Sequence, residues 1–143
     1  MPLLKQHMKA VKIILYYLGI SNGITGIWAL FFPQKFYSSF PGMGLHWIDI
    51  TGPYNEHFIV DIGASFLAMA FLSLYAVINL NDGKVRLACL ANLVFAIPHL
   101  IYHLQMSHMF MTPVDKVLGI FPLVLGAILP ALVLVLIRQG NKR

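Results

Sequence analysis

The sequence predicts an all-α fold: a single domain of four transmembrane helices packed as a bundle. Composition is the first reason, because the 143 residues are 59% hydrophobic and only 10% charged, whereas soluble domains carry about a quarter charged residues. The second reason is a series of four apolar segments, each near the roughly 20 residues that a helix needs to cross a bilayer. The third reason is that basic residues gather at the ends of these segments.

The first two spans are predicted at residues 11–32 and 56–80. The first span ends at Pro33, and its apolar run is too long for a cleaved signal peptide. Residues 34–55, the outer loop, are rich in aromatic residues, glycine and proline. Because Trp and Tyr favour the headgroup level, we expect this loop either to lie at the outer interface or to fold back and cap a pocket.

The remaining spans are predicted at residues 87–104 and 114–137. Asn81-Asp82-Gly83 is typical of a turn, so the second and third spans should form a tight helical hairpin. Thr112 and Asp115 have the spacing of a capping box, with Pro113 at the first helical position, which predicts the start of the last span.

Small residues mark one face of the first span. Gly19 and Gly23 form a GxxxG pattern that Gly26 extends, and such faces allow two helices to approach closely. We expect close packing within the bundle rather than a dimer seam; an oligomer is the open alternative, which the pattern does not specifically indicate. Asn22 lies in mid-span and should hydrogen-bond to a neighbouring helix.

The distribution of charge predicts the orientation. Of the ten lysines and arginines, only Lys35 and Lys116 fall on one side of a four-span chain. The others fall on the opposite side: Lys5, Lys9, Lys12, Lys84, Arg86, Arg138, Lys142 and Arg143. By the positive-inside rule, both termini should be cytoplasmic in a multi-pass protein of the plasma or inner membrane. Basic residues spread over segment ends also argue against nucleic acid as a partner, which needs a basic cluster on a soluble face.

Titratable residues concentrate toward the outer ends of the second and third spans. His57 and Asp61 are four apart and share one helix face, as do His99 and His103. Because the predicted hairpin makes the two spans neighbours, we expect all four side chains to face a shared interior. Ionisable groups in a membrane span are costly and usually face a cavity or one another.

Several kinds of chemistry remain open for this cluster. Two histidines and a carboxylate are a ligand set for zinc or non-haem iron, and the candidate metal ligands are His57, Asp61, His99 and His103. Since His99 should lie roughly 9 Å deeper than Asp61 at 1.5 Å per residue, three ligands or a hydrogen-bonded chain fit better than four. Without a metal, His57, Asp61 and His103 are candidates for acid–base catalysis, or the cluster only joins helices.

Two further residues are candidate ligand-binding positions beside His99. Glu56 would lie at the mouth of the pocket, and Asn92 would extend the polar stripe inward from His99. Pro98 should kink the third span beside this stripe and free a backbone carbonyl.

Two stretches carry a resemblance to a known family. The first runs from Gly52 through Glu56-His57 to Asp61-Ile62-Gly63-Ala64, and the second is Pro98-His99-Leu100-Ile101-Tyr102-His103. Together with the four short spans, they resemble the small bacterial membrane proteins of the DoxX-like kind. The resemblance implies that both stretches belong to one site, and it implies no particular activity.

The leading functional hypothesis is a pocket that binds a small or lipid-like molecule, or a metal, and that carries out proton-transfer chemistry on it. One alternative is a non-enzymatic accessory or assembly protein whose polar cluster is structural. Another is a proton-coupled carrier that uses His99, Asn92 and Asn22 as steps along a path. No nucleotide-binding or flavin-binding motif is present, since the sequence contains neither GxGxxG nor GxxxxGK[ST].

Overall fold

A computed structural model describes residues 4–140 of the chain and the side chains of residues 7–138. Lys142, Arg143 and the side chain of Lys5, which contribute to the predicted orientation, therefore lie outside the described part. The helices are α1 (Leu4–Phe31), α2 (Pro33–Ser39), α3 (Glu56–Ile78), α4 (Asp82–Gln105) and α5 (Pro113–Gly140). Two-residue strands β1 (Pro41–Gly42) and β2 (Leu45–His46) and short 3₁₀ helices at Asp49–Thr51 and Met106–Met109 complete the described chain.

Within residues 4–140, α1, α3, α4 and α5 are each long and apolar enough to cross a membrane. They pack in a ring, α1 on α3, α3 on α4, α4 on α5 and α5 on α1. The predicted fold class, an all-α bundle of four membrane-spanning helices, is confirmed. We call the end of the bundle where α1 begins and α5 ends the inner end, and the opposite end the outer end.

The boundary of α4 differs from the prediction. Asp82 and Gly83, expected in the turn, form the first turn of the helix, which begins at Asp82 rather than near residue 87. The reason is an N-cap, because the side-chain oxygen of Asn81 accepts a hydrogen bond from the Gly83 amide at 2.9 Å. The hairpin between α3 and α4 is present but even tighter than predicted.

The start of α5 agrees with the predicted capping box. Thr112 Oγ1 accepts a hydrogen bond from the Asp115 amide at 3.0 Å and donates its own proton to the Asp115 carboxylate at 2.7 Å. Pro113 occupies the first helical position. A backbone N–H at this position would have no acceptor within the helix, so proline, which lacks this N–H, costs the helix no hydrogen bond.

Apolar side chains fill the inner half of the bundle. They come from the first half of α1, the end of α3, the start of α4 and the end of α5, and all have at most 8% of their surface exposed: Val11, Ile14, Leu15, Leu18, Ala76, Val77, Val85, Ala88, Cys89, Val133 and Ile137. Close packing of this kind leaves little space between the helices. This apolar core therefore closes the bundle at its inner end.

Glycines bring α1 and α3 into backbone contact. A Cβ added at Gly26 would lie 2.9 Å from the carbonyl oxygen of Gly63, and one added at Gly63 would lie 2.7 Å from the backbone nitrogen of Leu30. The small-residue face predicted for α1 therefore packs against α3 inside the bundle, as expected of such faces.

The connection between α1 and α3 folds back over the outer end of the bundle. Its aromatic side chains pack edge-on or tilted on one another, with ring centroids 4.8 Å apart for Phe36 and Phe40 and 6.2 Å apart for Phe40 and Trp47. Trp28 of α1 joins the cluster, 6.0 Å from Phe36. Of the two predicted alternatives, a plain interfacial loop or a cap, the structure has the cap.

Candidate functional site

A cavity of about 300 Å³ lies in the outer half of the bundle, at the lower end of the range for small-molecule sites. All four long helices contribute to its walls, and the connection forms its roof. Most of the lining is apolar or aromatic, including Ile59, Ile62 and Phe66 of α3 and Leu123 of α5. Gly126 of α5 also lines it, and a Cβ added there would meet nothing within 4 Å.

The floor of the cavity is a buried relay of hydrogen bonds. Asn22 Nδ2 donates to Asn92 Oδ1 at 3.0 Å, which joins α1 to α4 across the bundle. Asn92 Nδ2 donates to Ser73 Oγ at 3.0 Å and to the Ala88 carbonyl at 2.8 Å. Ser73 in turn donates to the Met69 carbonyl at 2.8 Å. The relay confirms that Asn22 bonds to a neighbouring helix, and it places Asn92 at the cavity as predicted.

Two histidines form one wall. His99 and His103 follow each other by one turn of α4, with ring centroids 4.6 Å apart. Phe95 stacks on His99 at 5.1 Å, and Phe66 of α3 approaches the same imidazole edge-on at 5.9 Å. Neither imidazole hydrogen-bonds to any side chain or backbone group in the described residues. Their ring nitrogens are also not among the fully buried unpartnered atoms, and both residues line the cavity.

The roof is aromatic. Phe36, Phe40 and Trp47 line the cavity from the connection, and Phe110 lines it from the segment before α5. The Trp47 and Phe110 rings meet edge-on at 6.3 Å, which closes the roof across the bundle. The indole Nε1 of Trp47 is buried and has no hydrogen-bond partner among the described residues.

His57 and Asp61 lie elsewhere. They pair with each other at 3.3 Å, but their side chains are 78% and 62% exposed, and neither lines the cavity. The prediction of one interior shared by both pairs therefore needs correction. The face of α3 toward the cavity carries Ile59, Ile62 and Phe66, and the helical repeat turns His57 and Asp61 away from that face.

Glu56 is also outside the cavity. It is exposed at the first turn of α3, where Tyr54 donates a hydrogen bond to its carboxylate at 3.3 Å. Desolvation and the charge of this carboxylate raise the pKa of the Tyr54 phenol. Glu56 was predicted at the mouth of the pocket, but it is not among the residues that line the cavity.

The candidate metal ligands are not brought together. Among the described residues, no three His, Cys, Asp or Glu side chains are arranged so that they could hold a metal ion. His99 and His103 offer two nitrogens on one wall, while His57 and Asp61 face outward. Zinc and non-haem iron sites take at least three protein ligands, so the residues present do not fit either ion.

Two residues of the site were not anticipated from the sequence: Trp47, which lines the cavity, and Ser73, which hydrogen-bonds to Asn92 but does not line the cavity. Ser73, the end of the Asn relay, looked like an ordinary small residue of the second span, yet its side chain is fully buried. Trp47 was recognised only as part of an aromatic loop. The one sequence signal that could have found Ser73 is that a polar side chain in mid-membrane needs a partner, an argument that was applied to Asn22 and not to Ser73.

Comparison with protein-family models, with curated proteins and with solved structures finds no match for this chain. The resemblance to DoxX-like proteins remains a prediction that rests on the two sequence stretches. Of those stretches, His99 and His103 reach the cavity and His57 and Asp61 do not.

Proposed function

We propose that this protein binds a small amphiphilic molecule, taken from the membrane or its outer surface, in the cavity beneath the aromatic cap. The observation that carries the proposal is the pair of imidazoles, His99 and His103, which face a largely apolar cavity without any hydrogen-bond partner in the described residues. A ligand with an apolar body and a polar group would fill the cavity and hydrogen-bond to the two imidazoles.

The energetics favour this role over a structural one. The ring nitrogens of His99 and His103 are not fully buried, so a ligand in the cavity can hydrogen-bond to them, and each such bond contributes about 0.5–1.5 kcal/mol. A cluster that served only to join helices would hydrogen-bond across them. The Asn22–Asn92 relay does so, whereas the two histidines do not.

The packed inner half favours binding over transport. A carrier that moved protons or solutes by way of His99, Asn92 and Asn22 would need a continuation below Asn92. The residues there include Val85, Cys89 and Val133, all with 0% exposure. The cavity is thus closed toward the inner end, as expected of a pocket that binds and releases its ligand from one side.

Orientation is part of the proposal. The positive-inside rule favours a cytoplasmic inner end, because five of the seven lysines and arginines with described side chains lie there (Lys9, Lys12, Lys84, Arg86 and Arg138) and only Lys35 and Lys116 lie at the outer end. The cap and the cavity beneath it would then face the non-cytoplasmic side of the plasma or inner membrane.

The experiment measures binding of two simple probes, 4-butylphenol and 4-butylanisole, to the protein in lipid nanodiscs. In a Trp28→Phe background, Trp47 is the single remaining tryptophan, and its fluorescence reports on the roof of the cavity. Saturable changes with either probe would support the proposal.

A cavity-filling variant provides the control. Gly126→Leu places a side chain in open space at the cavity wall without a clash at its Cβ, so it should abolish the saturable change while the protein still folds. Gly23→Ala, which lies at the interface of α1 with α3 rather than in the cavity, should leave binding unchanged. Binding that survives Gly126→Leu at full affinity would refute the proposal.

A further inference from the structure

Three of the residues that line the cavity are also exposed on the surface of the bundle: Tyr17 of α1, Tyr102 of α4 and Pro122 of α5. A residue that lines a cavity and is exposed as well lies where that cavity opens. The aromatic roof covers the cavity toward the outer end, because the Trp47 and Phe110 rings meet across it, and the apolar core closes it toward the inner end. The openings therefore lie on the sides of the bundle.

Two of the three exposed residues border the same opening. α1 and α5 are neighbours in the ring, and their inner halves belong to the apolar core, where Leu15 and Val133 are fully buried. Farther out, Tyr17 of α1 and Pro122 of α5 both line the cavity. A Cβ added at Gly126, on the same part of α5, would meet nothing within 4 Å. We call the opening bordered by Tyr17 and Pro122 the α1/α5 seam.

The α1/α5 seam lies at the depth of lipid chains. At 1.5 Å per residue, Tyr17 lies about 21 Å below the outer end of α1, and Pro122 lies about 14 Å below the outer end of α5. The polar interface on each side of a bilayer is only about 5–8 Å thick, so both residues lie at the level of the hydrocarbon. Tyr102, by contrast, lies about 5 Å below the outer end of α4, at the headgroup level that tyrosine favours.

The cavity arranges its polar and apolar parts in the order of a lipid in the outer half of the bilayer. His103 and His99 lie about 3 Å and 9 Å below the outer end of α4, near the headgroups. The wall that α5 contributes reaches deeper and has no polar side chain: Gly119, Pro122, Leu123 and Gly126. At the floor, Asn22 and Asn92 hydrogen-bond to each other, and the wall of α5 leads past them to the seam. A molecule with a polar head and a chain below it can therefore enter sideways from the bilayer without inverting.

We infer that the cavity opens into the bilayer through the α1/α5 seam and takes an amphiphile with a long hydrocarbon chain. The polar head of this ligand meets His99 and His103, and its chain runs along α5 and out through the seam. This inference rests on the proposed binding function and names the ligand class. A closed cavity of about 300 Å³ would hold only a compact molecule, whereas an open seam lets a longer chain continue into the lipid.

The experiment locates the end of a bound chain by fluorescence quenching in lipid nanodiscs. The probe is 12-bromododecanol, which has a hydroxyl head and a bromine atom at the far end of its chain, because bromine quenches tryptophan fluorescence at short range. Two reporter variants are matched, Tyr17→Trp at the seam and Tyr102→Trp at the headgroup level. Each carries Trp28→Phe and Trp47→Phe, so that the reporter is the single tryptophan.

The signal is the saturable part of the quenching that excess 4-butylphenol removes, because probe dissolved in the surrounding lipid quenches both reporters without saturation. We expect this displaceable loss of fluorescence in Tyr17→Trp and little of it in Tyr102→Trp, since the bromine lies at the far end of the chain. Adding Gly126→Leu, which fills the cavity, should abolish it. Where Tyr17→Trp fails to give monodisperse protein, Pro122→Trp reports from the other side of the seam and should be quenched in the same way.

The outcomes separate the inference from the proposed function. Displaceable quenching that is equal in the two reporters, or stronger in Tyr102→Trp, would overturn the seam as the path of the chain. No displaceable quenching in either reporter, with 4-butylphenol still binding in the Trp47 assay, would show that the cavity excludes long chains; it would overturn the inference and keep the pocket. Absence of saturable binding of 4-butylphenol would remove the proposed function and the inference with it.

Discussion

Replacing Gly26 with alanine should push α1 and α3 apart. The new Cβ would lie 2.9 Å from both the Gly63 oxygen and the backbone nitrogen of Leu67, and backbone atoms of a packed helix cannot yield as a side-chain tip can. Reaching ordinary contact of at least 3.4 Å requires the helices to separate by about half an ångström or more, and such overpacking typically costs about 1–3 kcal/mol.

Gly23→Ala is the matched comparison. It lies one turn earlier on the same face, yet its Cβ would be 3.7 Å from the nearest atom, Ala70 Cβ, which is ordinary contact. Both substitutions gain the same helix propensity, about 1 kcal/mol in favour of alanine, so the difference between the variants isolates the steric cost. We expect Gly26→Ala to be less stable than Gly23→Ala by about 1–3 kcal/mol.

The assay is reversible unfolding in mixed micelles, followed by loss of helical circular dichroism as the fraction of denaturing detergent rises. Gly63→Ala should behave like Gly26→Ala, because its Cβ would lie 2.7 Å from the Leu30 nitrogen. Equal midpoints for Gly23→Ala and Gly26→Ala would refute the backbone contact between α1 and α3.

Three further predictions concern the relay, the orientation and the lone cysteine. Asn92→Ala should lower the free energy of unfolding by about 1–3 kcal/mol, because it leaves Asn22 without its acceptor. In the same unfolding assay, a decrease of less than about 0.5 kcal/mol would show that the relay contributes little to stability. The orientation can be tested by cysteine labelling in a Cys89→Ala background. Met43→Cys, at the 94% exposed tip of the cap, should react with a membrane-impermeant maleimide on intact cells, whereas Asn79→Cys in the inner turn should react only after lysis. The reverse pattern would invert the proposed orientation. The native Cys89 thiol, with 0% exposure, should stay unmodified by N-ethylmaleimide in the folded protein and react on unfolding, as read by intact mass.

The parts of the structure that were predictable follow from local rules. A capping box at Thr112 needs only the residues beside it, and the packing role of Gly26 follows from side-chain size alone. Asn22 could be expected to find a partner because a polar amide in mid-membrane has no water to bond. None of these inferences needed knowledge of which way a helix faces.

The wrong placement of His57 and Asp61 and the missed roof residue Trp47 have different causes. In a membrane bundle, the lipid face and the interior face of a helix are both apolar, so hydrophobic periodicity does not say which side points inward. Helical spacing showed that His57 and Asp61 share a face, but not that this face is exposed. The position of Trp47 depends on how residues 34–55 fold back, which is a matter of long-range packing rather than local pattern.

The contrast between the closed inner half and the hollow outer half has an electrical consequence. A transmembrane voltage falls mainly across low-dielectric material, and here that material is the apolar core between residues such as Leu15 and Val133. Moving one elementary charge through the full field is worth about 2.3 kcal/mol per 100 mV. In the proposed binding mode, a charged ligand that entered from the outer end would stop above this core and would not cross the part of the field that falls over it.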